Sequence, residues 1–438
     1  MAEFAATLRL GREKILAPFY VSGICYNFAM QSKRIFPEGF YWGSATSSFQ
    51  TEGGVENMDW AKGAKEGRVP MIGRACDFYN RYESDFDIVK ELGHNCHRIS
   101  IEWARVEPEE GKFDENEIQH YLKVLAAMRE RRIKPFITIW HFSLPLWFSE
   151  SGGFERSDSP EIFARFCGYV AKKLGNDCRH FSTINEPTVL ASNGWVRGTW
   201  PPFKEVPGMG WALSNVPGHQ ENKKDKGWRN LFLYLRVLKN LARAHNAAYD
   251  AIKKNAFGAE VSIVHHIILF HANWNPINKF KAWFMNWFWT HRFIKQVYKK
   301  CDSIGVNYYL HKKFGGTETY AKTDMNWDVY PEGLCGALKM VGRYGKPLWV
   351  AEAGVADADD DIRGDYIKGL VSCMYTAIEQ GVDLRGYMYW SLLDNYELAH
   401  GYDKRFGLVE IDYDTLERKI RPSAYVYKQI IENNGLVE

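Results

Sequence analysis

No apolar run in this 438-residue chain is long and clean enough to span a bilayer, which excludes a helical transmembrane protein. No CxxC pair occurs. The eight cysteines (Cys25, Cys76, Cys96, Cys167, Cys178, Cys301, Cys335 and Cys373) lie far apart, which excludes a zinc ribbon or a tight disulfide frame. They are expected to be reduced and mostly buried, as in a cytoplasmic protein with a core large enough to need no staples. No repeat at solenoid period, low-complexity tract or Pro/Ser linker divides the chain, so one main domain is expected. No large excess of one charge sign is present either: 56 Lys and Arg face 53 Asp and Glu, a formal +3. That near balance leaves no electrostatic footprint for nucleic acid. No His-x-x-x-His, carboxylate cluster with metal spacing or Ser-His-Asp set is signalled, so neither metal nor cofactor is called for.

What is present is an ordinary soluble composition with one excess. Hydrophobic residues make up 46% and charged residues 25%, while aromatics reach 15%, with 16 Trp and 24 Tyr. Flat rings cover the apolar faces of sugars, and the excess fits carbohydrate binding; large rings filling a large core account for about half of it. Residues 1–34 stand apart. Arg9, Arg12 and Lys14 precede Ile15–Val21 in imitation of a signal peptide, but Pro18, Gly23 and Asn27 break the apolar stretch and no small-x-small cleavage site follows. A disordered or loosely docked extension is expected there, with the main domain over residues 35–438.

From Phe36 onward, short β-rich runs alternate with longer helical patterns, the mark of repeated βα units. Eight strands are predicted: Phe40–Ala45, Asn95–Ser100, Pro135–Trp140, Phe181–Asn185, Val261–His265, Ser303–Tyr308, Leu348–Glu352 and Gly386–Trp390. Amphipathic stretches separate them; in Glu115–Arg131, Ile118, Tyr121, Leu122, Leu125 and Met128 recur at helical spacing. The fold class is α/β, a (β/α)8 TIM barrel in a single domain with long βα loops. An open doubly wound sheet fits less well, because no Gly-rich phosphate turn follows the first strand. Residues 200–228, rich in Pro, Gly, Lys and Asn, read as a long loop after the fourth strand. Phe280–Phe293 carries Trp283, Phe284, Trp287, Phe288 and Trp289 beside Lys281 and Arg292. Its spacing predicts an outer helix packed on the barrel, with an aglycone platform or an interfacial membrane contact as the sharper readings.

In a barrel of this kind the strand ends meet at one mouth. Asn185-Glu186-Pro187 closes the fourth strand and Val350-Ala351-Glu352-Ala353-Gly354 the seventh, so two carboxylates face each other. Gln50 follows the first strand, Arg98 lies in the second and His141 ends the third. Asn307 and Tyr309 end the sixth, and Trp390 the eighth, with Glu397 just beyond. Two carboxylates for bond cleavage, amides and an imidazole for hydroxyls and an indole for a sugar face form a consistent set. Taken singly, each has a structural reading: Trp390 as core, His141 as a strand cap, Arg98 in an ion pair, Tyr309 as core, Glu397 as a solvated acid. Their joint placement points to one site.

From about Phe36 to its end, the chain resembles glycoside hydrolase family 1, the β-glucosidase and β-galactosidase family. The motifs are Phe40–Thr46 with Gln50 and Glu52; Arg98–Trp103; His141–Pro145; Asn185-Glu186-Pro187; Trp390–Glu397; and Arg405–Leu408. The resemblance implies Glu186 as acid/base, Glu352 as nucleophile, and Arg98 and Tyr309 as the groups that keep Glu352 ionised. It implies glycone contacts from Gln50, His141, Asn185, Trp390, Glu397 and Phe406. The expected activity is a retaining exo-β-glycosidase for β-glucosides, with β-galactosides and β-fucosides as further glycones. Its partners would be small β-glycosides or short oligosaccharides.

Two departures from the family pattern stand out. Ala351 and Ala353 flank Glu352 where the family usually has Thr and Asn, so looser positioning of the carboxylate is expected. Leu398 follows Glu397 where the family commonly has Trp, removing one indole donor to the sugar. These motivate an alternative, a catalytically impaired sugar-binding barrel; transglycosylation is a variant of the leading reading. Glu397 also stands where a phosphate would be repelled, against 6-phosphosugars.

Overall fold

The computed structural model describes residues 33–205 and 227–437. Except for Lys33 and Arg34, the N-terminal extension therefore lies outside the described residues, as do residues 206–226 of the 200–228 loop. Eight parallel strands close into a barrel in chain order: β1 (Tyr41–Ala45), β2 (Cys96–Ser100), β3 (Lys134–Trp140), β4 (His180–Asn185), β5 (Glu260–Ala272), β6 (Ser303–Phe314), β7 (Leu348–Ala353) and β8 (Leu384–Trp390). Closure comes from β1 pairing with β8, Tyr41 opposite Gly386 through Ala45 opposite Trp390. Every predicted strand is present, most within two residues of its expected ends. β5 and β6 differ: both run on past the barrel, where Ile268–Ala272 pair with Leu310–Phe314.

One long helix follows each strand: α1 (Phe78–Glu91), α2 (Glu115–Glu130), α3 (Ser159–Leu174), α4 (Gly227–Asn255), α5 (Pro276–Asn286), α6 (Gly333–Gly342), α7 (Arg363–Glu379) and α8 (Pro422–Glu432). Helix α2 shows why. Asp114 caps it by accepting a hydrogen bond from Asn116 N at 2.8 Å. Ile118, Tyr121, Leu125 and Met128 then form its buried stripe. Each such aliphatic side chain stabilises the fold by roughly 1.5–3 kcal/mol relative to exposure.

Inside the barrel, Ala45, Cys96, Phe136, Val264, Trp349, Ala351 and Met388 form a packed plug below the mouth. Gly43 lets β1 approach β2; a Cβ there would lie 2.2 Å from the Cys96 carbonyl oxygen. At the opposite end, Arg34–Ile35 pair antiparallel with Gly435–Leu436, tying the described start of the chain to its end.

Candidate active site

The end of β4 sets up the first carboxyl. Pro187 begins a helix (Pro187–Trp195), and a residue before proline is disfavoured in the right-handed helical region. Glu186 instead takes a left-handed backbone, φ 47°, a costly conformation that aims its side chain at the mouth. Asn307 Nδ2 donates to Glu186 Oε1 at 2.6 Å.

Glu352, in β7, is held on both oxygens. Arg98 Nη1 donates to Oε1 and the Tyr309 hydroxyl donates to Oε2 at 3.1 Å. Burial is the largest influence on both carboxyls and pushes both above the usual glutamate range. For Glu352, the Arg98 charge and hydrogen bonds from Arg98 and Tyr309 oppose that push. Glu186 has the neutral Asn307 amide in contact and is raised further still by the Glu352 charge. Two chemically identical carboxyls are thus set apart: both are raised, but Glu186 holds its proton more firmly than Glu352, whose anion Arg98 and Tyr309 favour.

Around them lies a layer of amides. Arg98 Nη2 donates to Asn185 Oδ1 at 2.7 Å, which leaves Asn185 Nδ2 to face His141 Nε2 at 3.1 Å. His141 Nε2 is then the acceptor, and its proton sits on Nδ1, which is buried without a partner. Burial and then the Arg98 charge hold that ring well below its ordinary pKa, so it is neutral. Gln50 Nε2 donates to Asn395 Oδ1 at 3.0 Å and the Tyr396 carbonyl at 2.9 Å, leaving Oε1 buried and unbonded. Trp390 lies near-parallel to His141, with ring centroids 5.7 Å apart. Glu397 is pushed up to about 8 by burial and then by the Glu352 charge, and its Oε2 is buried with no partner. Phe406 meets Tyr309 edge-on, centroids 6.0 Å apart.

All eleven predicted residues come together. Gln50, His141, Glu186, Tyr309, Glu352, Trp390, Glu397 and Phe406 line one cavity of about 980 Å³. Arg98, Asn185 and Asn307 stand behind it, hydrogen-bonded to the carboxyls and to one another. Unsatisfied buried acceptors and donors beside an apolar ring are the complement of a polyhydroxylated ligand with an apolar face. Among the described residues, no group of three His, Cys, Asp or Glu side chains is placed to hold a metal.

His266 and Trp327, both lining the cavity, were not predicted. Both ring nitrogens of His266 are buried without partners, and burial lowers its pKa to about 3. The signal was adjacent: the predicted fifth strand stopped one residue short of it. The looser hold expected from Ala351 and Ala353 is not what the geometry shows, since Arg98 from β2 across the barrel and Tyr309 from the adjacent β6 supply both bonds to Glu352. Leu398 does line the cavity beside Glu397, with a left-handed φ of 54°.

A closed (β/α)8 barrel carrying paired, differently tuned carboxyls at its mouth defines a glycoside hydrolase. The sequence matches the model of glycosyl hydrolase family 1 over residues 32–300 and 278–436. It is 32% identical over 448 residues to beta-glucosidase A of Acetivibrio thermocellus, covering 92% of this chain and 100% of that protein. It is 28% identical to a beta-galactosidase of Sulfolobus acidocaldarius, covering 92% and 96%. Among solved structures, a β-glycosidase from Pyrococcus horikoshii superposes with TM-score 0.82 at 33% identity, covering 93% of this chain and 97% of that one. A Thermotoga maritima β-glucosidase in complex with castanospermine superposes with TM-score 0.83 at 28% identity, covering 92% and 100%. The chain belongs to glycosyl hydrolase family 1.

Proposed function

We propose that the protein is a retaining exo-β-glycosidase that hydrolyses β-glucosides, with β-galactosides and β-fucosides as further glycones. The observation that carries this reading is the unequal surroundings of Glu186 and Glu352, one beside a neutral amide and the other gripped by Arg98 and Tyr309. Relatives named β-glucosidase and β-galactosidase support the substrate class. Asn307 bonds Glu186 and also lies against Glu352, which supports the close carboxyl spacing of a retaining enzyme. The seven described cysteines are free thiols, which supports a place in the reducing cytoplasm.

In this mechanism Glu352 attacks the anomeric carbon as the bond to the aglycone breaks, and Glu186 gives its proton to the departing oxygen. The covalent ester removes the charge on Glu352, so the pKa of Glu186 falls and its carboxylate can take a proton from water. That water attacks the anomeric carbon and releases Glu352. His141 Nδ1–H and Gln50 Oε1 supply a free donor and a free acceptor for sugar hydroxyls, and Glu397 Oε2 a further unpaired polar atom. Asn185, fixed by Arg98, is placed for the 2-hydroxyl.

The pH dependence has a definite sign. Activity requires protonated Glu186, so it is lost as pH rises through that group's raised pKa. It requires ionised Glu352, so it is lost as pH falls through that group's pKa. Both are raised from 4.5, so both limbs of the bell lie above pH 4.5.

The test is hydrolysis of aryl β-D-glucoside, galactoside and fucoside by the full chain, with Glu352→Gln as control and NMR of the first-formed sugar. Turnover that gives the β-anomer and vanishes in the control is the expected result. The α-anomer would exclude retention, and absence of turnover on every substrate would favour a sugar-binding barrel.

A further inference from the structure

The aromatic segment after β5 packs on the barrel only in part as its spacing predicts: Trp289 and Phe293 are buried, but several other rings are not. Only one side of α5 faces the protein: Ala282 is buried, while Lys281, Phe284 and Met285 border the site cavity. Its other side faces outward, with Ile277 65%, Phe280 62% and Trp283 61% exposed, beside Trp274 at 82%. These residues, with Phe284 and Trp287, recur at intervals of three and four and form a single apolar arc. Lys279 and Lys281, both exposed, border that arc on its two sides.

Along the chain, the charge of this segment is of one sign. Between Glu260 and Asp302 the sequence contains no acidic residue, but it has Lys279, Lys281, Arg292, Lys295, Lys299 and Lys300. Among the described residues only Lys300 of these is ion-paired, with Asp250. An exposed Trp/Phe/Ile arc flanked by unpaired lysines is the pattern of a helix lying in a bilayer interface, rings at the headgroup level and ammonium groups on lipid phosphates. A protein partner would match the apolar arc equally well, but the one-sided charge selects an anionic surface.

We infer that α5 docks the protein on an anionic lipid bilayer. Because the inner side of the same helix borders the cavity, docking holds the mouth of the site at the membrane surface, within reach of glycosides anchored there. The last step rests on the glycosidase reading; the docking itself does not.

Co-sedimentation of the full chain with vesicles tests it. The expected result is binding to vesicles of phosphatidylglycerol and phosphatidylcholine in roughly equal parts, and about tenfold less binding to phosphatidylcholine alone. Phe280→Ser with Trp283→Ser, and separately Lys279→Glu with Lys295→Glu, should each weaken binding about tenfold. None of these four residues lines the cavity, so hydrolysis of a soluble aryl glucoside should be unchanged and reports that the variants fold. Vesicle binding is read without turnover, so an inactive enzyme would defeat the glycosidase reading and leave docking measurable. No binding to anionic vesicles overturns the inference. So does binding that survives both pairs of substitutions, which would assign it to another part of the chain. So does a concentration-dependent dimer that the same substitutions dissolve, which would make a second copy the occupant of the arc.

Discussion

Arg98 Nη2 donates to Asn185 Oδ1 at 2.7 Å while its Nη1 holds Glu352 and its Nε donates to Thr138 at 2.7 Å. One rigid fork therefore sets the Glu352 carboxylate and the orientation of the Asn185 amide together. That coupling passes on to His141, whose tautomer is fixed by the amide.

Arg98→Lys should therefore cost more than a charge-conserving change suggests. A single ammonium on a flexible stem cannot reach three partners in fixed directions. We expect kcat for an aryl β-glucoside to fall about a hundredfold, the scale of a small misplacement of reacting groups. The acidic limb of the pH profile should move little, since the cation remains near Glu352. A kcat within a few fold of the parent would show that positional coupling through Arg98 is unimportant.

Ala353→Asn restores the side chain that the family usually carries at the position after Glu352. Ala353 is fully buried in the main core, and both Glu352 oxygens already have donors, Arg98 and Tyr309, from two other strands. The new amide brings a burial cost without a vacant role. Expected is a lower Tm with kcat unchanged to within about threefold. A rise in kcat of tenfold or more would show that the present hold on Glu352 is incomplete.

The barrel was legible because its signal is local: buried strands are continuous β-rich runs, and each amphipathic helix repeats its own apolar face. The site residues were legible as strand ends, since the topology alone sends Asn185, Glu186, Glu352 and Trp390 to one mouth. What stayed hidden depends on cross-strand relationships. The continuation of β5 through His266 to Ala272 exists because β6 runs on beside it, and neither segment has a pattern that announces the pairing. The arc on α5 was visible as a periodicity, but periodicity shows that a face exists and not what it meets. The division of labour around Glu352 likewise needed Arg98, Tyr309 and Asn307 to be seen at hydrogen-bonding distance from opposite sides.

His97 gives a prediction about stability. It is wholly buried in β2, with Nδ1 3.1 Å from Ser44 Oγ and Nε2 3.2 Å from Thr46 Oγ1. Burial, reinforced by neighbouring His94, lowers its pKa from 6.5 to about 3. The unfolded chain takes up a proton near pH 6.5 that the folded protein refuses until about pH 3, so this group's stabilising contribution is complete above 6.5 and is lost as pH falls toward 3. His97→Gln cannot take up that proton in either state. Its hydrogen bonds are altered, so its Tm should lie below the parent's at neutral pH. The gap should narrow steadily as pH is lowered from about 7.5 to about 5, because only the parent carries the protonation penalty. Thermal melts of both proteins across that range decide it; a gap that stays constant or widens on acidification would mean that His97 is already charged in the folded barrel.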